Sequence, residues 1–251
     1  MNKPAFAALL LGAASLAAPA FAAPRDYAAA VSPKGRDAKQ VALDAGRHPA
    51  EILDFLGLKR GSEVLDLLAG EGYYSQIMGR FVGPKGHILA FEPTQFSDGD
   101  SKPKWAALAK LQPNVAFMSV PWEQLMFAPN SFDFTLVHLN YHDFYWSSEK
   151  YKLPVTDPAA HLAMLFRATK PGGIVGVVDH VGRAGDTRAI VDKVHRIDPE
   201  VIKADFAKAG FALEAESDLL RVPSDDLDKL VFDPAVRGKT DRVVYRFRKP
   251  A

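Results

Sequence analysis

The stretch Val64-Leu65-Asp66-Leu67-Leu68-Ala69-Gly70-Glu71-Gly72-Tyr73-Tyr74-Ser75 changes its pattern twice. Its first residues are an apolar run broken by one acid, the reading of a buried strand with a polar group near its tip. Gly70 and Gly72 then permit positive φ and a close approach of backbone to whatever lies beside the turn. A helix beginning near Tyr73 leaves its first N–H groups without intrahelical partners, a setting suited to a carboxylate or phosphate. Further on, Ile88-Leu89-Ala90-Phe91-Glu92 is a second apolar strand that also ends in an acid.

Outward from this turn, short apolar runs bounded by glycine and proline alternate with segments of helical period, which predicts a parallel sheet flanked by helices. Strands are predicted over residues 63–68, 87–92, 115–120, 132–139, 173–179, 212–217 and 242–248. Helices are predicted at about 73–81, 102–111, 158–169 and 199–209. Pro49, suited to a first helical position, opens another helix that ends at Gly57, and residues 37–45 can form a short one. No convincing helix separates the last two strands, so they can pair antiparallel. The fold class is therefore α/β, a doubly wound, seven-stranded, mostly parallel sheet with an antiparallel last strand. Arg242, Arg246, Arg248 and Lys249 alternate with apolar residues, as on the outward face of an edge strand.

With strand, turn, helix and second acid in this order, the segment from Val64 resembles the first motif of class I S-adenosylmethionine-dependent methyltransferases. The antiparallel C-terminal pair belongs to the same Rossmann-like arrangement. A less characterised group of bacterial methyltransferases is similar over essentially the whole chain after about Arg36, through Arg47-His48-Pro49, His195-Arg196-Ile197-Asp198 and the tail from Val243 to Pro250. The resemblance implies S-adenosylmethionine as cofactor. Asp66 would accept from its amino group or a bridging water, Gly70, Gly72 and Tyr73 would form the turn and helix start against its carboxylate, and Glu92 would hold the ribose hydroxyls. Leu68 departs from the pattern, standing where many members have the first glycine of the turn. A nicotinamide-dependent oxidoreductase is the competing reading of a glycine turn with a strand-end acid. The missing third glycine, the acid ahead of the turn and the lack of a second mononucleotide half weigh against it.

Ligands of open α/β sheets sit beyond the carboxyl ends of the strands, so the loops there carry the expected chemistry. After the third strand, Trp122 would cover the adenine, or else anchor the core, and Glu123 would accept from the adenine amino group. After the fourth come Asn140-Tyr141-His142-Asp143-Phe144-Tyr145-Trp146, the candidate catalytic segment, with Asn140 on the cofactor side. There His142 would take a proton from the methyl acceptor, or hold a structural or orienting role, Asp143 would orient it, and Tyr141 or Tyr145 would line the path of the methyl group. Asp179-His180 follows the fifth strand, and His195 and Arg196 are candidates for the substrate mouth. His138, His142, Asp143 and His180 show no recognised metal-binding spacing, so no metal is expected.

Composition narrows the partners. In 251 residues, 31 basic against 30 acidic side chains give a net charge of +1, which supplies no field for nucleic acid or an anionic membrane. With no cysteine, the chain has no disulfide, thiolate nucleophile or cysteine metal site. Lys3, the apolar run from Ala5 to Ala18 and the Ala20-Phe21-Ala22 step read as a secretory signal peptide over residues 1–22, too short to anchor in a bilayer, with cleavage after Ala22. Residues 23–48 read as an N-terminal cap and residues 49–251 as the methyltransferase domain, which the signal would send to the periplasm or outside the cell. The expected partner is a small-molecule acceptor. A second reading, an exported nucleoside-binding module without chemistry, draws its support from that signal.

Overall fold

The computed structural model describes residues 27–97 and 101–251; the signal-peptide reading of residues 1–22 lies outside the described residues. In chain order the elements are α1 (Ala28–Val31), α2 (Ala38–Ala42), α3 (Asp44–Arg47), α4 (Pro49–Leu56), β1 (Glu63–Leu67), α5 (Tyr73–Val82), β2 (His87–Phe91), α6 (Ser101–Leu111) and β3 (Val115–Met118). Then follow β4 (Phe132–His138), α7 (Pro158–Ala168), β5 (Thr169–His180), α8 (Thr187–Val194), α9 (Pro199–Lys208), β6 (Ala212–Ser217) and β7 (Arg242–Arg248). They form one seven-stranded sheet in the order β3-β2-β1-β4-β5-β7-β6.

Strands β1 to β5 pair in parallel, and β7 runs antiparallel between β5 and β6. The order reverses between β1 and β4, and a crevice opens at the carboxyl ends of strands flanking such a switch point. Successive residues of β1 face opposite layers, as strand geometry requires. Leu65 and Leu67 pack with Leu162 and Leu165 of α7 and Phe206 of α9, whereas Val64 packs with Ile52 and Leu56 of α4 and Ile77 and Phe81 of α5. Phe206 stacks on Phe247 at 4.1 Å, joining α9 to β7.

Three sequence expectations need correction. The β7 arginines do not form an outward edge, because β6 is the edge strand and β7 is enclosed. Arg242, 3% exposed, donates to the carbonyls of Gly46 and Gly238, and Arg246 and Arg248 donate to those of Phe55 and Gly172. Alternation in sequence does not separate arginines that meet water from arginines that satisfy orphan carbonyls. Residues 37–45 hold two short helices, α2 and α3, rather than one. Helix α8, unanticipated, starts where the Asp186 side chain accepts from the Ala189 N–H and ends at His195.

Candidate active site

A cavity of about 680 Å³ occupies the switch-point crevice, within the roughly 300–1,000 Å³ usual for small-molecule pockets. Asp66, Leu68 to Glu71 and Tyr73 line one wall, Glu92 the next, His138 to Asn140 with His142 and Asp143 the floor, and Trp146, His180, His195 and Phe232 the far side.

Leu68, the departure from glycine, adopts φ +58°, so the turn follows the left-handed path on a leucine. Such a conformation costs on the order of 1–3 kcal/mol and persists where surroundings fix it. Here the Asn140 side-chain amide donates to the carbonyls of both Leu67 and Leu68 at 3.0 Å, while the Leu68 side chain joins the apolar core. The Ala69 N–H donates to the Phe91 carbonyl at 2.8 Å and the Gly70 N–H to Glu92 Oε2 at 2.9 Å, tying the turn to the second strand tip. Leu139 and His195, also on the cavity wall, have positive φ as well.

Asp66 is buried and accepts from the Ser75 hydroxyl and amide at the start of α5. Burial nevertheless pushes its carboxyl up to about 7. Glu92 is likewise pushed up to about 7 by burial, against the hydrogen bond from Gly70 and with the charges of Asp143 and Asp66 adding to it. The Tyr73 hydroxyl donates to Asp44, which a bidentate Arg36 also holds, and Arg47 lies over the Tyr73 ring at 4.4 Å. Residues 27–48 thus close over the helix start and bring Arg47 and Gln40 to the cavity.

On the floor, Asp179 is fully buried and accepts from His142 Nδ1 and from the His142 and His180 amides, at 2.7–2.8 Å. Burial alone would lower the His142 pKa, but the charges of Asp179 and Asp143 raise it to about 9. Burial raises Asp143 to about 6 against the pull of His142, and burial lowers His195 to about 4. His180 shares a 2.7 Å hydrogen bond with Thr240, and burial keeps it neutral. Around the mouth, Phe96 stacks on Trp146 at 6.1 Å, Tyr151 meets both edgewise or tilted, and Phe232 lies 5.3 Å from His195.

Of the residues singled out in sequence, Asp66, Gly70, Tyr73, Glu92, Asn140, His142 and Asp143 come together on this cavity. Others are corrected. Trp122 is 2% exposed and packs with Phe91, Phe144 and His161, so it anchors the core instead of covering a ligand. Glu123 is exposed outside the cavity and accepts from Gln95. Tyr141 is fully buried with its hydroxyl donating to Asp205 on α9, and Tyr145 donates to the same carboxylate. Gly72 caps α5 with φ +80° against Trp105, so its place is in the turn and its packing. Arg196 points away from the mouth into a buried pair with Asp225. Sequence reasoning missed Arg47, Phe96, Tyr151 and Phe232; only Arg47 carried a signal, as the first residue of the Arg47-His48-Pro49 step.

A family model described as a methyltransferase domain matches residues 58–218. The chain is 28% identical over 127 residues to the ubiquinone/menaquinone biosynthesis C-methyltransferase of Pasteurella multocida, a match covering 51% of this chain and 43% of that protein. It therefore spans less than half of that relative's length. In structure it is similar to a SAM-dependent methyltransferase from Aquifex aeolicus, with TM-score 0.56 and 20% identity, covering 79% of this chain and 88% of that one. It is also similar to the 1,6-didemethyltoxoflavin-N1-methyltransferase of Burkholderia thailandensis, solved with 1,6-didemethyltoxoflavin and S-adenosylhomocysteine, with TM-score 0.54, 20% identity and 92% of each chain covered.

Proposed function

The chain belongs to the methyltransferase-domain family, and on that premise we propose that it transfers a methyl group from S-adenosylmethionine to a small acceptor built on an aromatic ring. The observation that carries the reading is a two-sided cavity, with strand-tip acids on one side and an aromatic mouth over an imidazole-carboxylate floor on the other.

The residues present fit the cofactor. Asn140 Oδ1 is buried without a hydrogen-bond partner, and the space a Gly70 side chain would enter is open to 4 Å, so donors and backbone of a ligand can come close on this wall. Asp66 serves the amino group and Glu92 the ribose hydroxyls. Arg47 serves the carboxylate, since Asp66 already takes the Ser75 amide at the helix start. Bound there, the cofactor supplies an electrophilic methyl on a sulfonium. The chain's contribution is to hold an acceptor in line with it and to exclude water. Phe96, Trp146, Tyr151 and Phe232 offer flat faces to a ring, and the name of the Pasteurella relative, a ubiquinone/menaquinone biosynthesis C-methyltransferase, points the same way. His142 and Asp143 then hold the acceptor's polar substituent.

The test is calorimetric titration with S-adenosylhomocysteine, followed by measurement of S-adenosylhomocysteine release from S-adenosylmethionine with a panel of phenols, quinols and heteroaromatic amines. Binding in the first step and turnover with ring compounds in the second are expected. No binding would overturn the cofactor assignment, and turnover confined to non-aromatic acceptors would overturn the ring.

Affinity for S-adenosylhomocysteine should depend on pH. Burial holds the Asp66 and Glu92 carboxyls at about 7, and their ionised forms accept from ammonium and hydroxyl donors much more strongly than the protonated acids do. Affinity should rise between pH 6 and pH 8, by roughly tenfold for each carboxylate that acts. The ligand-free protein moves the other way. Its two raised carboxyls bind more protons than the unfolded chain between about pH 4 and 7, so their contribution to stability falls as pH rises through that window. Titrations at pH 6, 7 and 8 check the first statement, and a flat profile would exclude both acids as ligands.

A further inference from the structure

Across the cavity from Asp66 and Glu92, three side chains from separate segments converge. His142 and Asp143 come from the turn after β4, and His195 from the end of α8. One ligand-type atom of each lies within 4.8 Å of the others. We propose that His142, Asp143 and His195 bind a divalent first-row transition ion, such as Zn²⁺ or Co²⁺.

His142 Nε2 is 3.5 Å from Asp143 Oδ1, and His195 Nδ1 is 3.9 Å from the same oxygen. Both separations exceed the 2.7–2.9 Å or so of a charge-assisted hydrogen bond. They are close to the roughly 3.4 Å between ligands of a tetrahedral ion with bonds of about 2.1 Å, and the three ligand atoms, all within 4.8 Å of one another, would draw together around the ion. Among the described residues, neither His142 Nε2 nor the His195 ring makes a hydrogen bond, although the His142 side chain is only 4% exposed.

The supporting shell is in place. Asp179 holds His142 Nδ1 at 2.8 Å, the carboxylate-histidine arrangement that fixes ring orientation and leaves the other nitrogen for a metal. Trp146 and Phe232 pack on His195 at 4.9 and 5.3 Å, and its left-handed backbone turns the ring toward the cavity. The other nearby imidazoles are turned elsewhere, with His180 on Thr240 and His138 against Tyr74. Two imidazoles with one carboxylate select zinc or its first-row neighbours over magnesium and calcium, which take oxygen ligands. The remaining coordination positions face the cavity. If the methyl-transfer reading holds, an acceptor oxygen would bind there; the metal site itself does not rest on that reading.

The chelator-treated protein, titrated with Co²⁺, should develop visible absorption at about one ion per chain, and Zn²⁺ should displace it. His195→Ala and Asp143→Asn should weaken Zn²⁺ binding at least about a hundredfold, and Asp179→Asn by about 10–100-fold. His195→Gln, closer in volume, serves where the alanine variant melts early. Glu92→Gln should weaken S-adenosylhomocysteine binding and leave the Co²⁺ spectrum unchanged, which separates failure of this site from failure of the cofactor assignment. The proposal is overturned if the parent protein binds Zn²⁺ no tighter than about 100 µM, or if the folded ligand variants bind it as the parent does.

Discussion

Gly70→Asp should abolish S-adenosylhomocysteine binding while leaving the protein folded. A Cβ added at Gly70 meets nothing within 4 Å, so the new side chain extends into the cavity and not into the core. The residue has φ +55°, a region that aspartate tolerates better than most side chains. The backbone cost should therefore stay near 1 kcal/mol. The carboxylate arrives on the wall that already holds Asp66 and Glu92, where it fills ligand space and repels the cofactor's own carboxylate. Like charges a few ångströms apart near a protein surface repel by several kcal/mol, on the order of a hundredfold or more in affinity. Calorimetry beside a urea melt measures both halves, and a folded variant that binds within tenfold of the parent would refute the placement of the cofactor on this turn. Gly72→Asp makes an instructive contrast, because a Cβ there meets Trp105 at 3.0 Å and Leu108 at 3.1 Å. That change should act on packing before binding.

The difference between these two glycines marks how far the sequence can be read. The strand positions, the antiparallel end and the two acid-tipped strands follow from apolar periodicity and turn residues, which report backbone path directly. The fate of an aromatic side chain does not. Trp122 and Tyr141 stand beside the expected loops, yet a short 3-10 turn rotates each into the core, where Phe91, Phe144 and Phe206 cover them. Nothing in local sequence separates them from Trp146, which the loop after β4 delivers to the cavity mouth. His195 is the opposite case. Its approach to Asp143 depends on the length and docking of α8, a polar helix with only Val191 and Val194 buried, so periodicity gave little sign of it. Leu68 shows a third limit. The left-handed turn expected of a glycine persists on a leucine because Asn140, far along the chain, holds both neighbouring carbonyls.

Arg196→Met should cost about 3–5 kcal/mol of stability, the usual consequence of removing one partner from a buried ion pair. Arg196 has no exposed surface, and its guanidinium donates to Asp225 Oδ2 at 2.7 Å, to Asp225 Oδ1 at 3.3 Å, and to the carbonyls of Val181, Asp226 and Lys229. Methionine keeps much of the volume and none of the donors. The Asp225 side chain, 1% exposed, would keep only the Asp241 amide at 2.7 Å as partner. Its buried charge would then weigh against the folded state. If charge is the cause, Arg196→Met combined with Asp225→Leu should recover much of the loss, since an apolar pair can replace a buried ion pair at little cost. Urea denaturation of parent, single and double variants measures this, and a single-variant loss below about 1 kcal/mol would refute it. The pair also anchors the loop between β6 and β7, whose Val231 amide bonds the Val194 carbonyl and whose Phe232 forms the cavity's far wall beside His195. Ligand affinity in the single variant should therefore fall along with stability. Arg196 acts on the site at a distance, by holding the loop that closes it.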